Sequence, residues 1–216
     1  DTVKTLQAMS ADIYVVRHSF PGAPLFITKY VNGAVLNAGD GAHSHPTQAL
    51  LDMFSVYEKK GKLKNLKIAI IGDIAYSRVV RSDIIGFNRL GSKIYIYAPY
   101  TLIPKGIEKM GAILASSIEE CIEDADVIMG LRLQRERQDE TLLPSLEEYF
   151  EFFAIKSELL KLAKQDVIIM HPGPMNRGIE IESEVADSSA SIIEEQVSNG
   201  LAIRMALLYF LSGGKR

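Results

Sequence analysis

The sequence predicts an α/β protein of two lobes built on doubly wound parallel sheets, with the first lobe incomplete in this chain. Strand-like segments such as Lys67–Asp73 are almost continuously apolar, which is typical of parallel strands covered on both faces. Helical segments alternate with these strands, and this alternation indicates a parallel sheet wound on both sides. Residues 1–44 are too few to build a core alone, so we expect them to be the end of a lobe whose beginning is absent.

Composition narrows the class of protein. The 216 residues include 24 Lys and Arg against 27 Asp and Glu, a net charge of −3 that argues against a generic nucleic-acid partner. A hydrophobic content of 47% excludes a disordered chain, and no apolar run approaches the ~18 residues of a membrane span. Cys121 is the single cysteine and excludes an intrachain disulfide, so we expect a reducing, cytoplasmic location.

The first 61 residues predict short elements followed by one long helix. Apolar spacing predicts a helix over 3–9, a buried strand over 13–17, a loop over 18–24, a strand over 34–38 and a turn over 39–41. From Pro46 the apolar period changes to that of a helix, which should end near Gly61. A boundary falls in this region, because the helix after His45 is long enough to connect two lobes.

The rest of the chain predicts regular alternation. Strands are expected over 67–73, 93–99, 126–130 and 166–170, and helices from Ser77 to Gly91, from Ser117, over 157–164 and from Ser189 to Leu211. The charged segment 135–153 predicts a mobile loop. The last helix is expected to pack through one apolar face, formed by Ile192, Ile193, Val197, Leu201 and Leu208.

Polar side chains follow the strands at their carboxyl ends. In open α/β sheets ligands bind at that edge, so these side chains should converge. They are Arg17, His45, Gln48, Arg78, Arg132 and Gln134, together with the turn His171-Pro172-Gly173-Pro174. Three arginines in a protein of negative net charge predict a local cationic pocket for small carboxylates or phosphates.

Other readings of these residues are weaker. A dinucleotide site is disfavoured because the strand ending at Gly72 lacks the G-x-G-x-x-G pattern. His43 and His45 have no spaced Cys or carboxylate to complete a metal site, so neither a metal nor a cofactor is expected. Cys121 falls inside a predicted helix and is expected in the core.

At these positions the chain resembles the aspartate/ornithine carbamoyltransferase family, in particular its aspartate-specific catalytic chains. The resemblance covers nearly the whole chain, from Asp1 to about Leu211. Its motifs are Asn37-Ala38-Gly39-Asp40-Gly41, His45-Pro46-Thr47-Gln48, Gly72-Asp73 with Ser77-Arg78-Val79 and Arg81-Ser82, Leu131-Arg132-Leu133-Gln134-Arg135-Glu136-Arg137, Met170-His171-Pro172-Gly173-Pro174 with Asn176-Arg177-Gly178, and Glu195-Gln196-Val197 with Arg204.

The resemblance implies transfer of a carbamoyl group from carbamoyl phosphate to the amine of L-aspartate, in pyrimidine biosynthesis. By resemblance, Arg17 and His45 polarise the carbamoyl carbonyl, Gln48 orients it, and the carbonyls of Pro172 and Gly173 accept from its NH₂ group. Arg78, Arg132 and Gln134 then hold the two carboxylates of aspartate. Glu136 is expected to orient Arg132, and segment 135–153 to close over the substrates.

The resemblance also implies an organisation. Residues 1–44 are the remainder of a carbamoyl-phosphate-binding lobe, completed by the C-terminal helix 198–216, and residues 45–197 form the aspartate-binding lobe with the linking helix. A homotrimer is implied, with regulatory or other pathway subunits as further partners.

The chain departs from the family in two motifs. The family's Ser-Thr-Arg-Thr phosphate loop and the Ser/Lys loop donated by a neighbouring subunit are both absent here, so we expect the phosphate half of the pocket to be missing. Two alternatives therefore stay open: an inactive fragment or pseudoenzyme that binds carboxylates or partner chains, and an ornithine carbamoyltransferase. The second is disfavoured because Arg78 and Arg132 suit an anionic acceptor.

Overall fold

A computed structural model describes residues 1–134 and 145–213 of the chain. Its seven strands are β1 (Ile13–His18), β2 (Ala34–Asp40), β3 (Lys67–Gly72), β4 (Lys93–Tyr97), β5 (Ala112–Leu114), β6 (Val127–Leu131) and β7 (Ile168–Met170). The α-helices of the described part are α1 (Thr2–Ala8), α2 (Ala23–Ile27), α3 (Pro46–Lys60), α4 (Arg78–Arg89), α5 (Ile118–Ile122), α6 (Leu146–Phe153), α7 (Ser183–Ala186) and α8 (Ile193–Leu211). Helical segments long and apolar enough to cross a membrane are not found in this part of the chain.

The larger sheet has five parallel strands in the order β5-β4-β3-β6-β7. Its central strand β3 is buried on both faces. Ile68 and Ile70 pack into one apolar cluster, whereas Ala69 and Ile71 pack into another. This two-sided burial explains the continuous apolar sequence and confirms the doubly wound α/β fold class.

A second sheet pairs β1 with β2 in parallel. Helix α3 follows it and lies between α4 and α8. Polar contacts fasten α8 to α3, because Nδ2 of Asn199 donates to Oγ of Ser55 at 3.0 Å and to Oε2 of Glu58 at 2.6 Å. Helix α3 thus links the first sheet to the last helix of the chain.

The predicted helix ends agree with local chemistry. Helix α3 begins at Pro46 and stops before Gly61, which adopts a left-handed φ of 66° that favours glycine. Ser77 caps α4 by accepting from the N–H of Val80, and Ser117 caps α5 by accepting from the N–H of Glu120. Cys121 is fully buried, as expected.

Two segments predicted as loops contain helices. In segment 18–24, Pro24 supplies an early helical position, where its missing N–H costs nothing, and α2 therefore begins at Ala23. In segment 135–153, the mobile-loop prediction is wrong for α6. Ser145 caps that helix through the N–H of Glu148, and the ring of Tyr149 is fully buried, with its centroid 5.4 Å from that of Phe153.

Two predictions of burial are wrong in part. Strand β1 is covered on one face only, because Tyr14 is 5% exposed whereas Val15, on the opposite face, is 63% exposed. Helix α8 begins at Ile193 rather than Ser189. In its expected apolar face Ile192 and Ile193 are buried as predicted, whereas Val197 is 72% and Leu201 65% exposed. Beyond Ile193, the buried residues of the helix are Gln196 and Gly200. Strand β5 and helix α7 were not predicted, because each is too short to show a period.

Candidate active site

The site forms where the strand order of the larger sheet reverses, between β3 and β6. Asp73 follows β3 and is fully buried. Its carboxylate accepts from the N–H of Tyr76 at 3.0 Å and from the N–H of Gln134 at 3.1 Å. One carboxylate thereby joins the loop that carries Arg78 to the loop that carries Arg132 and Gln134. Ligands of open α/β sheets bind at such a reversal.

The beginning of α3 carries His45 and Gln48 into the site. The N–H of His45 donates to Oγ of Ser82 on α4 at 2.9 Å, which fixes this helix end against its neighbour. Oγ1 of Thr47 lies 3.4 Å from Nδ1 of His45, and this leaves Nε2 for the cavity.

Arg78 is the first residue of α4 and is 9% exposed. Its Nη1 donates to the carbonyl of Gly41 at 3.5 Å. Gly39 has a φ of +112°, and a Cβ there would lie 2.7 Å from Nε of Arg78. Any residue other than glycine at this position would displace the guanidinium group of Arg78.

The turn after β7 presents backbone groups. The N–H of Gly173 donates to Nδ1 of His171 at 2.9 Å, and the N–H of His171 donates to Oε1 of Gln196 at 3.1 Å. The Gly173–Pro174 peptide bond is cis. Nδ1 of His171 therefore holds the turn through the N–H of Gly173, and Pro172 and Gly173 of this turn line the cavity.

All eight residues proposed from the sequence line one cavity of about 310 Å³. They are Arg17, His45, Gln48, Arg78, Arg132, Gln134, Pro172 and Gly173. Three polar wall residues were not proposed as site residues: Arg204 on α8, which is a fourth arginine, and Tyr76 and Ser77 before α4. Arg204 and Ser77 lie in motifs of the family resemblance, and that was the signal that could have identified them.

The electrostatics of the cavity favour anions. Burial, followed by the charges of Arg78, Arg204 and Arg17, lowers the pKa of His45 to about 4. His45 is therefore neutral at pH 7 and acts as a hydrogen-bonding group rather than an acid. None of the described lining residues is acidic. Such a cavity holds small polyanions through charge-assisted hydrogen bonds.

Some expectations lie outside the described residues. Glu136, expected to orient Arg132, and the neighbouring Arg135 and Arg137 belong to 135–144. The expected closing movement of segment 135–153 also depends on those residues and stays a prediction.

Comparison with known proteins identifies the family to which this geometry belongs. Two family profiles match: "Aspartate/ornithine carbamoyltransferase, carbamoyl-P binding domain" over residues 1–58, and "Aspartate/ornithine carbamoyltransferase, Asp/Orn binding domain" over residues 64–211. The chain is 58% identical over 214 residues to the aspartate carbamoyltransferase catalytic subunit of Pelotomaculum thermopropionicum, covering 99% of this chain and 69% of that protein. It is 54% identical over 216 residues to that of Desulforapulum autotrophicum, covering 100% and 69%.

Solved structures agree with the sequence matches. The aspartate transcarbamoylase of Trypanosoma cruzi in complex with N-(phosphonacetyl)-L-aspartic acid superposes with a TM-score of 0.85 at 31% identity, over 97% of this chain and 68% of that one. The ornithine carbamoyltransferase of Pyrococcus furiosus gives a TM-score of 0.85 at 28% identity, over 100% and 71%. The same fold therefore serves acceptors of opposite side-chain charge, and the residues of the cavity must distinguish them.

Proposed function

The chain belongs to the aspartate/ornithine carbamoyltransferase family, and on this premise we propose that it catalyses the aspartate reaction. It transfers the carbamoyl group of carbamoyl phosphate to the amine of L-aspartate, which yields N-carbamoyl-L-aspartate and phosphate for pyrimidine biosynthesis. The observation that carries the proposal is the cavity itself, which has four arginines in its wall and no acidic side chain among its described lining residues. Two carboxylates and a phosphate match that charge, whereas a cationic acceptor side chain does not.

We assign the carbamoyl group to the side of the cavity that α3 forms. Arg17 and neutral His45 donate to the carbonyl oxygen, on which negative charge develops as the amine attacks. Gln48 orients the group, and the carbonyls of Pro172 and Gly173 accept from its NH₂. These donors and acceptors are in place before the ligand arrives, because α3 and the turn after β7 are each held by hydrogen bonds.

We assign the acceptor to the side formed by the loops after β3 and β6. Arg78, Arg132 and Gln134 bind the two carboxylates of aspartate. Asp73 joins the two loops, so the acceptor is held by one connected unit. Its amine is directed at the carbamoyl carbon, and holding two reactants in this way replaces a bimolecular encounter by a positioned reaction.

The chemical step balances without a covalent enzyme intermediate. The amine nitrogen forms a bond to the carbamoyl carbon, and the bond from that carbon to the phosphate oxygen breaks. The departing phosphate takes the proton that the amine loses. His45 is not needed as the acid, which agrees with its lowered pKa of about 4.

The test is a product assay with two acceptors. The chain is incubated with carbamoyl phosphate and either L-aspartate or L-ornithine, and each carbamoylated product is quantified. We expect N-carbamoyl-aspartate, and Arg132→Met should abolish it. Arg89→Met is the matched control, because Arg89 is exposed at the end of α4 and away from the cavity.

Three other outcomes would each contradict part of this proposal. Carbamoylation of ornithine instead of aspartate would make the chain an ornithine carbamoyltransferase. Calorimetric binding of aspartate without product from either acceptor would make it a carboxylate-binding, inactive member of the family. A full effect of Arg89→Met would refute the assignment of the acceptor to Arg132.

Organisation, assembly and location are proposed on separate grounds. We propose that residues 1–44 with 198–216 belong to the carbamoyl-phosphate lobe and 45–197 to the aspartate lobe. The support is that β1 and β2 form their own sheet. A homotrimer is proposed by resemblance, supported by apolar side chains that stay exposed, such as Phe26 and Leu201, and sedimentation tests it. The free thiol of Cys121 supports a reducing, cytoplasmic location.

A further inference from the structure

Two aspartates that the reaction does not use lie buried below the cavity. Asp52 on α3 and Asp83 on α4 are both fully buried. Neither oxygen of Asp83, nor Oδ2 of Asp52, has a hydrogen-bond partner among the described residues. Two ionised carboxylates buried in this place would repel each other, which is strongly unfavourable.

The other oxygen of Asp52 lies at the centre of a hydrogen-bond chain. Oδ1 accepts from Nε2 of Gln48 at 3.0 Å and from Nε2 of Gln196 at 2.5 Å. Gln196 in turn accepts from the N–H of His171 through its Oε1. These hydrogen bonds therefore connect α3 through α8 to the turn after β7.

This series of hydrogen bonds determines which end of the Gln48 amide faces a ligand in the cavity. A carboxylate oxygen only accepts, so Asp52 must receive the NH₂ of Gln48. The carbonyl oxygen of Gln48 is then left for the cavity, where it accepts from an N–H of the ligand. The same acceptor holds the backbone of His171 through Gln196, and this fixes the two carbamoyl-binding parts relative to each other.

Packing of α3 on α4 brings Asp83 to Asp52. Ser82, its neighbour on α4, accepts from the N–H of His45 at the start of α3. Arg204 on α8 is the other charge that acts on Asp52. The strands under α4 present apolar side chains of the core, among them Ile70 and Ile96. A proton on one of these two acids removes the repulsion between them.

The preferred position of the proton follows from the two environments. Burial raises the pKa of Asp52 to about 7, although the hydrogen bonds of Gln196 and Gln48 and the charge of Arg204 oppose it. Burial, and then the charge of Asp52, raises the pKa of Asp83 well above its usual range. Asp83 has no such opposing partners and is the better proton holder.

We propose that Asp52 is a positioning residue for the carbamoyl-binding groups, and that a proton held by Asp83 keeps this buried pair at a single negative charge. The positioning half rests on the proposed function, whereas the proton half does not. Protonated Asp83 removes one of the two like charges, and Oδ1 of Asp52 stays available to both glutamines.

The proton is tested by stability alone. Urea unfolding of the wild type and Asp83→Asn is compared from pH 5 to pH 8, with Asp12→Asn as control for the same change at an exposed site. The amide introduced by Asp83→Asn keeps the shape of the side chain and has no titrating proton. Unfolding the wild type releases this proton, so its folding equilibrium constant should fall with rising pH relative to that of Asp83→Asn, by at most about tenfold per pH unit. Parallel curves would overturn this half.

The positioning role of Asp52 is tested by measuring the KM for carbamoyl phosphate and the KM for aspartate separately. Asp52→Leu removes the acceptor and keeps the branched shape of the side chain, and we expect the KM for carbamoyl phosphate to rise tenfold or more while that for aspartate changes less than twofold. Asp52→Asn keeps an acceptor oxygen and should restore most of the affinity. A purely structural role would lower the amount of active enzyme and leave both KM values unchanged, which would refute positioning.

A folding failure of Asp52→Leu does not end the test. Gln196→Met removes the donor to Asp52 and the acceptor for the N–H of His171, but it leaves the contact between Gln48 and Asp52. It should also raise the KM for carbamoyl phosphate selectively, and an unchanged KM would refute the proposal. If the wild type forms no product, the proposed function fails, and the urea comparison still decides whether Asp83 holds the proton.

Discussion

The turn that leads into α3 depends on the carboxylate of Asp40, and Asp40→Asn should measure that dependence. Asp40 is 1% exposed. Its Oδ1 accepts from Asn37, from the N–H of Ser44 at 3.1 Å and from Oγ of Ser44 at 2.9 Å. Its Oδ2 accepts from the N–H of Gly22 at 2.6 Å and lies 3.0 Å from Nδ1 of His43. Burial alone would raise the pKa of Asp40, but these hydrogen bonds outweigh it and hold that pKa well below its usual range.

The cost of Asp40→Asn follows from this inventory. The new NH₂ group must take the place of one carboxylate oxygen. The Oδ2 position then loses the fewest hydrogen bonds, because His43 can accept from the NH₂ there. The N–H of Gly22 then loses its acceptor, which costs about 1–3 kcal/mol. The three bonds to Oδ1 become neutral and lose roughly half their strength. Relief of the buried charge offsets part of this, and we expect a net loss of about 3 kcal/mol at pH 7.

The pH dependence of this loss has a definite sign. A lowered pKa means that the carboxylate stabilises the fold above the unfolded pKa of about 4, and that this contribution fades as the pH falls further. The difference between wild type and Asp40→Asn should therefore shrink by up to about 1.4 kcal/mol per pH unit below pH 4. Urea unfolding at pH 7 and pH 3 measures it, with Asp12→Asn as control. A difference under about 1 kcal/mol at pH 7, or equal values at both pH values, would refute the reasoning.

Three further predictions concern the cavity and the core. Gly39→Ala places a Cβ 2.7 Å from Nε of Arg78, so calorimetry should show inorganic phosphate or aspartate binding weakened about tenfold or more. Phe87→Ala opens a cavity at a fully buried site and should cost about 3–5 kcal/mol in urea unfolding; a loss under about 1 kcal/mol would contradict its core position. By NMR titration His45 should titrate near pH 4, and Arg78→Leu should raise that pKa by removing a cation; no upward shift would exclude the charge effect.

The parallel sheet could be predicted because the local sequence of each strand shows whether it is buried on both faces. A strand covered on both faces, such as β3, must be apolar throughout, and the chain shows this directly. Strand ends could then be located to a residue or two, and the polar residues following them predicted eight residues of one cavity wall. Helix caps at Ser77 and Gly61 were equally readable, because each depends on one residue.

The remaining features depend on contacts between distant segments. Helix α8 shows why: its apolar period suggests a buried face, yet the packed face carries Gln196, whose partner Asp52 is 144 residues away. Arg204 reaches the cavity only because α8 lies against α3. Helix α6 was hidden by its charge, since Glu147 and Glu148 look like loop residues but favour the first turn of a helix.

The attachment of Gln134 to Asp73 has a consequence for ligand size. Strands β3 and β6 are direct neighbours, so the loops that carry Arg78 and Arg132 start about 4.8 Å apart and are held together by one carboxylate. That spacing is set by the pairing of β3 with β6, and the contact between Gln134 and Asp73 adds a second constraint on it. Moving the two loops apart therefore requires the loss of a hydrogen bond to a fully buried carboxylate. Under the proposed function, ligands that differ in length by one methylene must be accommodated by the arginine side chains rather than by these loops.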